Sequence, residues 1–228
     1  VSAQPNSVIS NPDALIDLVM FADAPGVRDT VLLKNYSGKL DWRKMDDWNF
    51  TSQHEDYELF TYRVLHSKKA IKTIATFEST TGTGQFAKLL QIEVTDSSYH
   101  FVKLIAGGDR CNGATVANSY KLKGKTLTYD VLLTPQGMMN ILEGLPLTDY
   151  FSDCMTCCSG KARYKFNLAT GKEEFIHVQL TDTFEIADQF DAVYMEYLNE
   201  GKQVLDSKEF TEFAKTILLQ IVEDNTRK

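Results

Sequence analysis

The sequence predicts an α+β fold in which one curved antiparallel sheet of about eight strands carries roughly three or four helices on one face. Strand-like segments follow one another through the middle of the chain with only short turns between them, and helical periodicity is concentrated towards the two ends. Strands joined by such short turns pair antiparallel, because a parallel return needs a crossover of about a dozen residues. No repeat or low-complexity linker interrupts residues 1–228, so a single domain is predicted.

The first helix is predicted over 11–24, in the N-terminal part of the chain. Asn11 can cap this helix and Pro12 occupies its first position, an order that natural helices favour. The same order of a capping residue followed by proline recurs at Thr134 and predicts a second helix over 134–144.

The C-terminal helices are predicted within 188–222. Apolar residues recur at helical spacing in DQFDAVYMEYLNEG and again in DSKEFTEFAKTILLQIVED. Gly201 suits the end of the first of these helices, and Asp206 with Glu209 has the spacing of a capping box at the start of the second.

The central sheet is predicted to span 58–133 and 162–180. Alternating apolar and polar residues, bounded by turn residues, indicate four successive hairpins. Their strand pairs are YELFTYRVLH with AIKTIATFES, FAKLLQIEV with YHFVKLIAGG, TVANSYKL with TLTYDVLL, and ARYKFNL with EEFIHVQL. The segment 25–57 has no clear period and is predicted to be irregular.

The charge balance restricts the kind of partner. Acidic side chains outnumber basic ones by 31 to 24, which gives a net charge of −7. Such a field repels phosphate backbones and speeds the encounter with a cationic partner, so we expect a basic partner protein and no nucleic acid. No apolar run approaches the roughly 20 residues that a membrane helix needs, and no membrane span is expected.

Cys154, Cys157 and Cys158 lie within one short stretch, and Cys111 lies upstream. An even number of cysteines fits a disulfide framework. A bridge between the neighbours Cys157 and Cys158 closes a strained ring, so Cys111 is expected to bond one of these two. We favour Cys111–Cys158 together with Cys154–Cys157. Such bridges predict an oxidising compartment, so the protein is expected to be periplasmic or secreted.

These thiols have two alternative interpretations. A zinc site could combine the Cys154-x-x-Cys157 pair with Cys111 and a histidine, but a zinc site of four cysteines usually draws on two such pairs. A redox or nucleophilic cysteine is the other alternative, since the same spacing occurs in oxidoreductases. The motif does not open a helix within a βαβ unit, and Asp153 disfavours a thiolate. We therefore predict no metal and no cofactor.

The stretch GGDRCNG around Cys111 is rich in residues that tolerate positive φ angles. One hypothesis is an anion-binding loop made by Gly107, Gly108 and Arg110, in which backbone N–H groups and the guanidinium hold a small anion. The favoured interpretation is a bulge at the end of a strand that directs Cys111 towards its disulfide partner.

Aromatic residues are concentrated among acids between positions 42 and 62. Trp42, Trp48, Phe50 and Tyr57 are candidates for a recognition face, because Trp and Tyr dominate binding hot spots. The alternative is that these rings fill the open side of the sheet, as large aromatic side chains commonly do.

No motif typical of hydrolysis, nucleotide binding or metal chemistry is present, and no catalytic residue is assigned. The histidines are scattered, and His66 and His177 lie on predicted strands, where an imidazole is usually structural. The leading hypothesis is a non-catalytic secreted or periplasmic binding protein, an inhibitor or immunity-type antagonist of a partner protein. The alternatives are a thiol-dependent enzyme, acting by disulfide redox or a Cys nucleophile, and a carrier of a small ligand or lipid.

Overall fold

The computed structural model describes residues 9–20, 29–52, 57–142, 156, 158–181 and 188–226. Within these ranges the fold is mostly β, with four α-helices and twelve strands. The chain divides into two compact units, Val1–Gly107 and Gly108–Lys228, and its strands form two antiparallel sheets. The predicted α+β class with a large antiparallel sheet is confirmed, whereas the prediction of one single sheet is wrong.

The helices begin near the predicted positions. In the second helix, the Thr134 hydroxyl accepts a hydrogen bond from the Gly137 backbone N–H at 3.0 Å, as its capping role predicts. At the fourth helix, the predicted capping box is present: Asp206 and Glu209 each accept the other's backbone N–H, at 2.9 and 3.0 Å. The helices are α1 Asp13–Met20, α2 Pro135–Met139, α3 Asp188–Asn199 and α4 Ser207–Thr226. The second is shorter than the predicted 134–144, because the chain leaves the helix at Asn140, a poor helix former.

Seven strands form the first sheet in the order β1-β7-β6-β5-β4-β3-β2, as far as the described residues show. The predicted hairpins of the long central strands are confirmed. The strands are β1 Thr30–Leu32, β2 Arg43–Met45, β3 Trp48–Thr51, β4 Tyr57–Lys68, β5 Ile71–Thr80, β6 Gln85–Val94 and β7 Ser98–Asp109.

The helix α1 packs on one face of this sheet and forms the core of the first unit with it. Its apolar stripe is fully buried, as the helical pattern predicts. Burial also raises the pKa of Tyr62 to about 12. The core residues are Ile9, Ala14, Leu15, Ile16, Leu18, Val19, Val31, Phe60, Tyr62, Ile74, Leu90, Ile92 and Tyr99.

The segment 25–57 contains more regular structure than its sequence predicts. The strand β1 lies beside β7, and β2 pairs with β3 in a tight hairpin. These strands are only three or four residues long, too short to show an alternating pattern. The hairpin turn includes Asp46, whose φ of 52° is a left-handed conformation that Asp tolerates better than most residues.

Five strands form the second sheet in the order β12-β11-β10-β9-β8, counted over the described part of the chain. On one face, α4 packs against β11, β12 and α3. The Phe213 ring contacts the Tyr194 and Tyr197 rings of α3, and the Phe210 ring contacts Phe175 of the sheet. The strands are β8 Lys121–Lys123, β9 Thr126–Leu133, β10 Gly160–Asn167, β11 Glu173–Leu180 and β12 Val204–Asp206.

Both edges of β7 are already occupied. The strand pairs with β6 on one side and with β1 on the other. The next strand along the chain, β8, therefore does not pair with β7 and pairs with β9 in the second sheet. The hairpin pattern alone does not contain this information, since it predicts only which strands are sequential neighbours.

Candidate functional site

The disulfide between Cys111 and Cys158 joins positions 47 residues apart, with a Cα–Cα distance of 4.9 Å. The favoured pairing of these two cysteines is confirmed. Cys154 and Cys157 lie outside the described residues, so their predicted bond stays a prediction. Among the residues that the structure describes, no group of three or more His, Cys, Asp or Glu side chains is arranged to hold a metal ion.

In the loop around Cys111, the backbone at Gly108 lies very close to the backbone at Asn112. A Cβ atom on Gly108 would lie 1.8 Å from the Asn112 carbonyl oxygen, so only glycine fits there. Arg110 has a φ of 47°, and its guanidinium donates to the carboxylate of the neighbouring Asp109 at 3.1 and 3.0 Å. This geometry fits the favoured structural interpretation, in which the loop directs Cys111 towards Cys158. The anion-binding role of Gly107, Gly108 and Arg110 stays a prediction.

Trp42 faces the core of the first unit. Its indole N–H donates to the Asp13 carboxylate at 2.7 Å. Its ring centroid lies 6.1 Å from that of Phe60 and 5.3 Å from that of Tyr62, both in edge-on geometry. These contacts join Trp42 to α1 and to the sheet. Trp42 therefore fills the core, which is the alternative that the sequence offers to a role in recognition.

Trp48 and Phe50 lie on the opposite face of the sheet, because β3 alternates and Asn49 is opposite the core residue Tyr62. Met45 is directly opposite Trp48 on β2, and Arg43 is opposite Phe50. We call these four residues the Trp48 face. Both rings are half-buried, whereas Met45 is 64% exposed.

The side chain of Tyr57, the fourth predicted recognition residue, lies outside the described part of the structure, although its backbone pairs with Thr80. Ion pairs border the Trp48 face: Arg63 contacts Asp47 at 3.1 Å and Arg43 contacts Asp41 at 3.3 Å. The surroundings of the face are therefore charged but mixed in sign.

The second sheet carries a polar row that the sequence does not predict. Cross-strand pairing aligns Asp130 with Arg163, Arg163 with His177, and His177 with Asp206. Arg163 donates to both oxygens of Asp130, through Nε at 2.6 Å and Nη2 at 2.8 Å. The Asp206 carboxylate accepts hydrogen bonds from the Lys208 and Glu209 backbone N–H groups at the start of α4 instead. We call the other three residues, Asp130, Arg163 and His177, the Arg163 row. It lies on the face opposite α4, since the alternate positions Ala162, Val178 and Leu205 are buried.

The charges in this row act on one another. The hydrogen bond with Asp130 raises the pKa of Arg163. The pKa of His177 is lowered, first by its partial burial and then by the positive charge of Arg163, with Lys161 adding to the effect and Asp130 opposing it. His177 is thus held neutral at pH values where a free histidine begins to take up a proton.

Removing the His177 imidazole should weaken the pH dependence of stability. Below about pH 6.5, the ordinary pKa of histidine, the unfolded chain binds a proton here more readily than the folded chain. Neutral His177 therefore contributes stability above that pH, and the contribution is lost as the pH falls through the lowered folded pKa. Urea unfolding at about pH 7.5 and about pH 5 should show a smaller difference for His177→Gln than for the wild type. An unchanged difference would contradict this prediction.

Two other described histidines, His100 and His66, lie in the first unit. His100 lies between two hydroxyls, with Nδ1 at 2.8 Å from Thr30 Oγ1 and Nε2 at 2.8 Å from Ser98 Oγ. The pKa of His66 is lowered by partial burial and by Lys68. Both histidines belong to the first unit, whereas His177 belongs to the second.

None of the described helices is long and apolar enough to cross a membrane. Comparisons with protein families, with curated proteins and with solved structures find no match for this chain.

Proposed function

We propose that the chain is a non-catalytic binding protein of the secreted or periplasmic compartment, which antagonises a partner protein through the Trp48 face. The observation that carries this proposal is the side-by-side placement of Met45, Trp48 and Phe50 on one strand pair. Trp, Phe, Met and Arg are the residue types enriched at the centres of protein interfaces, and this face combines all four.

The rigidity of the support favours this interpretation. The strand β3 pairs with β2 on one side and with the long strand β4 on the other, so the rings are held by backbone hydrogen bonds on both edges. Because these side chains are already ordered before a partner binds, the entropic cost of association is lower.

Charge and compartment support the two remaining parts of the proposal. A net charge of −7 speeds the approach of a basic partner, and the exposed Asp46 lies in the turn between the two strands that carry the face. The Cys111–Cys158 bridge fits an oxidising compartment, where such bonds persist.

Substituting Trp48 should separate binding from folding. With the protein immobilised and exposed to the secreted or periplasmic fraction of its source, we expect Trp48→Ala to weaken capture of the basic partner by about 2 kcal/mol or more, or roughly thirtyfold. The free energy of unfolding should change little, because the ring is half-buried at the side of the sheet away from α1.

Two further variants serve as controls. Leu219→Ala removes a side chain as exposed as Met45, 65% against 64%, and should leave capture unchanged. Trp42→Ala should show the reverse of Trp48→Ala: a loss of about 2 kcal/mol of stability, from the lost indole packing and the lost bond to Asp13, before any loss of capture. A partner that binds a Trp48→Ala/Phe50→Ala double variant as tightly as the wild type would contradict the proposed face.

A further inference from the structure

The guanidinium of Arg163 is oriented by Asp130, but only some of its N–H donors form hydrogen bonds. The Asp130 carboxylate accepts two hydrogen bonds from this guanidinium, one from the N–H on Nε and one from an N–H on Nη2. Asp130 itself is 5% exposed. The other N–H groups, including both on Nη1, have no acceptor among the described residues. The side chain of Arg163 is 35% exposed, so these donors can be reached from solvent. A preorganised arginine with free donors is suited to bind a planar oxyanion.

Two more groups converge on the same point. Lys161 precedes Arg163 by two positions on β10, and its side chain therefore lies on the same face, roughly 7 Å along the strand. Its ammonium forms no ion pair or hydrogen bond with any residue that the structure describes. His177 is the direct cross-strand neighbour of Arg163. Both cations also lower the pKa of His177, as expected from their positions on the same face of the sheet.

The net charge of this group selects the ligand. Arg163 and Lys161 carry two positive charges, the buried Asp130 cancels one of them, and His177 is neutral. Asp206 is not counted, because its carboxylate is bonded to the first backbone N–H groups of α4. One positive charge remains, which a single negative charge balances. A dianion such as a phosphate monoester would leave one negative charge unbalanced in a protein that is already acidic overall. A carboxylate has both the matching charge and the planar shape for the guanidinium edge.

We propose that Arg163, Lys161 and His177 form a binding site for a carboxylate group, with Asp130 as the positioning residue that orients the guanidinium. The carboxylate belongs either to a small organic acid or to an acidic side chain of a polypeptide, and the chemistry of recognition is the same in both cases. This site lies in the second unit and is independent of the Trp48 face in the first.

The test is an NMR titration of the full chain, in which the imidazole signals of His177 are followed during addition of sodium acetate. Sodium chloride at equal ionic strength is the control salt. Acetate should shift the His177 signals in a saturable manner and raise the pKa of His177, because a bound negative charge stabilises the imidazolium. His66 serves as an internal control, since its pKa is also lowered, by burial and by Lys68, and it lies in the first unit. Equal shifts at both histidines, or equal effects of both salts, would overturn the proposal.

Substitutions then test the individual donors. Lys161→Gln should weaken acetate binding about tenfold, through loss of one charge-assisted hydrogen bond, and should leave the fold intact. Arg163→Gln should abolish binding, but it leaves Asp130 buried without its partner and risks unfolding. The proposal is therefore judged on Lys161→Gln, and acetate binding that is unchanged in this variant would overturn it.

A peptide arm distinguishes the two sources of the carboxylate. A short capped peptide with one glutamate is compared with acetate and with the same peptide carrying glutamine. Tighter binding of the glutamate peptide than of acetate assigns the site to a polypeptide partner, and equal binding assigns it to a small organic acid. If neither ligand shifts His177, the proposal fails.

Discussion

Replacing Cys111 and Cys158 together by alanine is expected to lower the free energy of unfolding by about 4 kcal/mol. The bond closes a loop of 47 positions, and in the chain-entropy account a loop of that size restricts the unfolded chain by about this amount. Since a domain of this kind has a net stability of roughly 5–15 kcal/mol, the loss is a large share of it. Alanine is preferred to serine because Cys111 is only 5% exposed, and a buried hydroxyl would add a cost of its own.

The measurement is urea unfolding of the wild type and the double variant, each with and without reductant. The wild type should lose about 4 kcal/mol on reduction and then match the reduced double variant. Any effect of reductant on the double variant itself reports on Cys154 and Cys157, the two remaining cysteines. A double variant that loses less than about 1 kcal/mol would show that the bond restricts an unfolded chain that is already compact there.

The parts of this fold that the sequence predicts are those determined by neighbouring residues. The capping box at Asp206 and Glu209 and the cap at Thr134 depend on contacts within one helical turn, and both are present. The hairpins follow for the same reason, since a short turn allows only an antiparallel return. The pairing of Cys111 with Cys158 is also predictable, because the strained ring of adjacent cysteines removes one of the few alternatives.

The Arg163 row shows why other parts are not predictable. Counting back from the turn at 169–172, a regular hairpin would place Ile176 opposite Arg163 and turn His177 to the buried face. In the structure the register shifts between Arg163 and Tyr164, Ile176 becomes the extra residue, and His177 moves opposite Arg163. A bulge of this kind depends on packing across the whole sheet, and the local pattern carries no sign of it.

The aromatic segment divides for a similar reason. Trp42, Trp48 and Phe50 have the same kind of acidic surroundings in the sequence, but they end on opposite faces of the first sheet. What separates them is the strand pairing of β2 with β3 and the contact of Trp42 with Asp13 of α1, 29 residues away along the chain. Composition identifies the segment as unusual, and only tertiary structure tells which ring is available to a partner.

Lys88 and Glu78 form a buried ion pair inside the first unit. Their side chains are 4% and 2% exposed, and Lys88 Nζ lies 3.4 Å from Glu78 Oε2. The ammonium also donates to the Val19 carbonyl at 3.1 Å, near the C-terminal end of α1, where a positive charge is favourable. Glu78 accepts in addition from the Thr76 hydroxyl at 3.2 Å. The pair therefore connects α1 to the sheet beneath it.

Replacing Lys88 alone by methionine is expected to cost about 3–5 kcal/mol, because the buried Glu78 loses the positive charge of Lys88 and the Val19 carbonyl loses the Lys88 ammonium as a donor. Glu78→Gln alone should cost a similar amount, since it removes the negative charge beside the buried ammonium. The double variant Lys88→Met/Glu78→Gln removes both charges of the pair. Its loss of stability should be well below the sum of the two single losses, and this difference is the coupling energy of the pair.

The measurement is a double-mutant cycle by urea unfolding at neutral pH, with near-ultraviolet circular dichroism to confirm native packing in each variant. Lys215→Met is the matched control. Lys215 also forms an ion pair, with Glu212 at 3.1 Å, but both of these side chains are more than half exposed. That surface pair should contribute less than about 1 kcal/mol. If Lys88→Met cost no more than Lys215→Met, the buried pair would not contribute to holding α1 on the sheet.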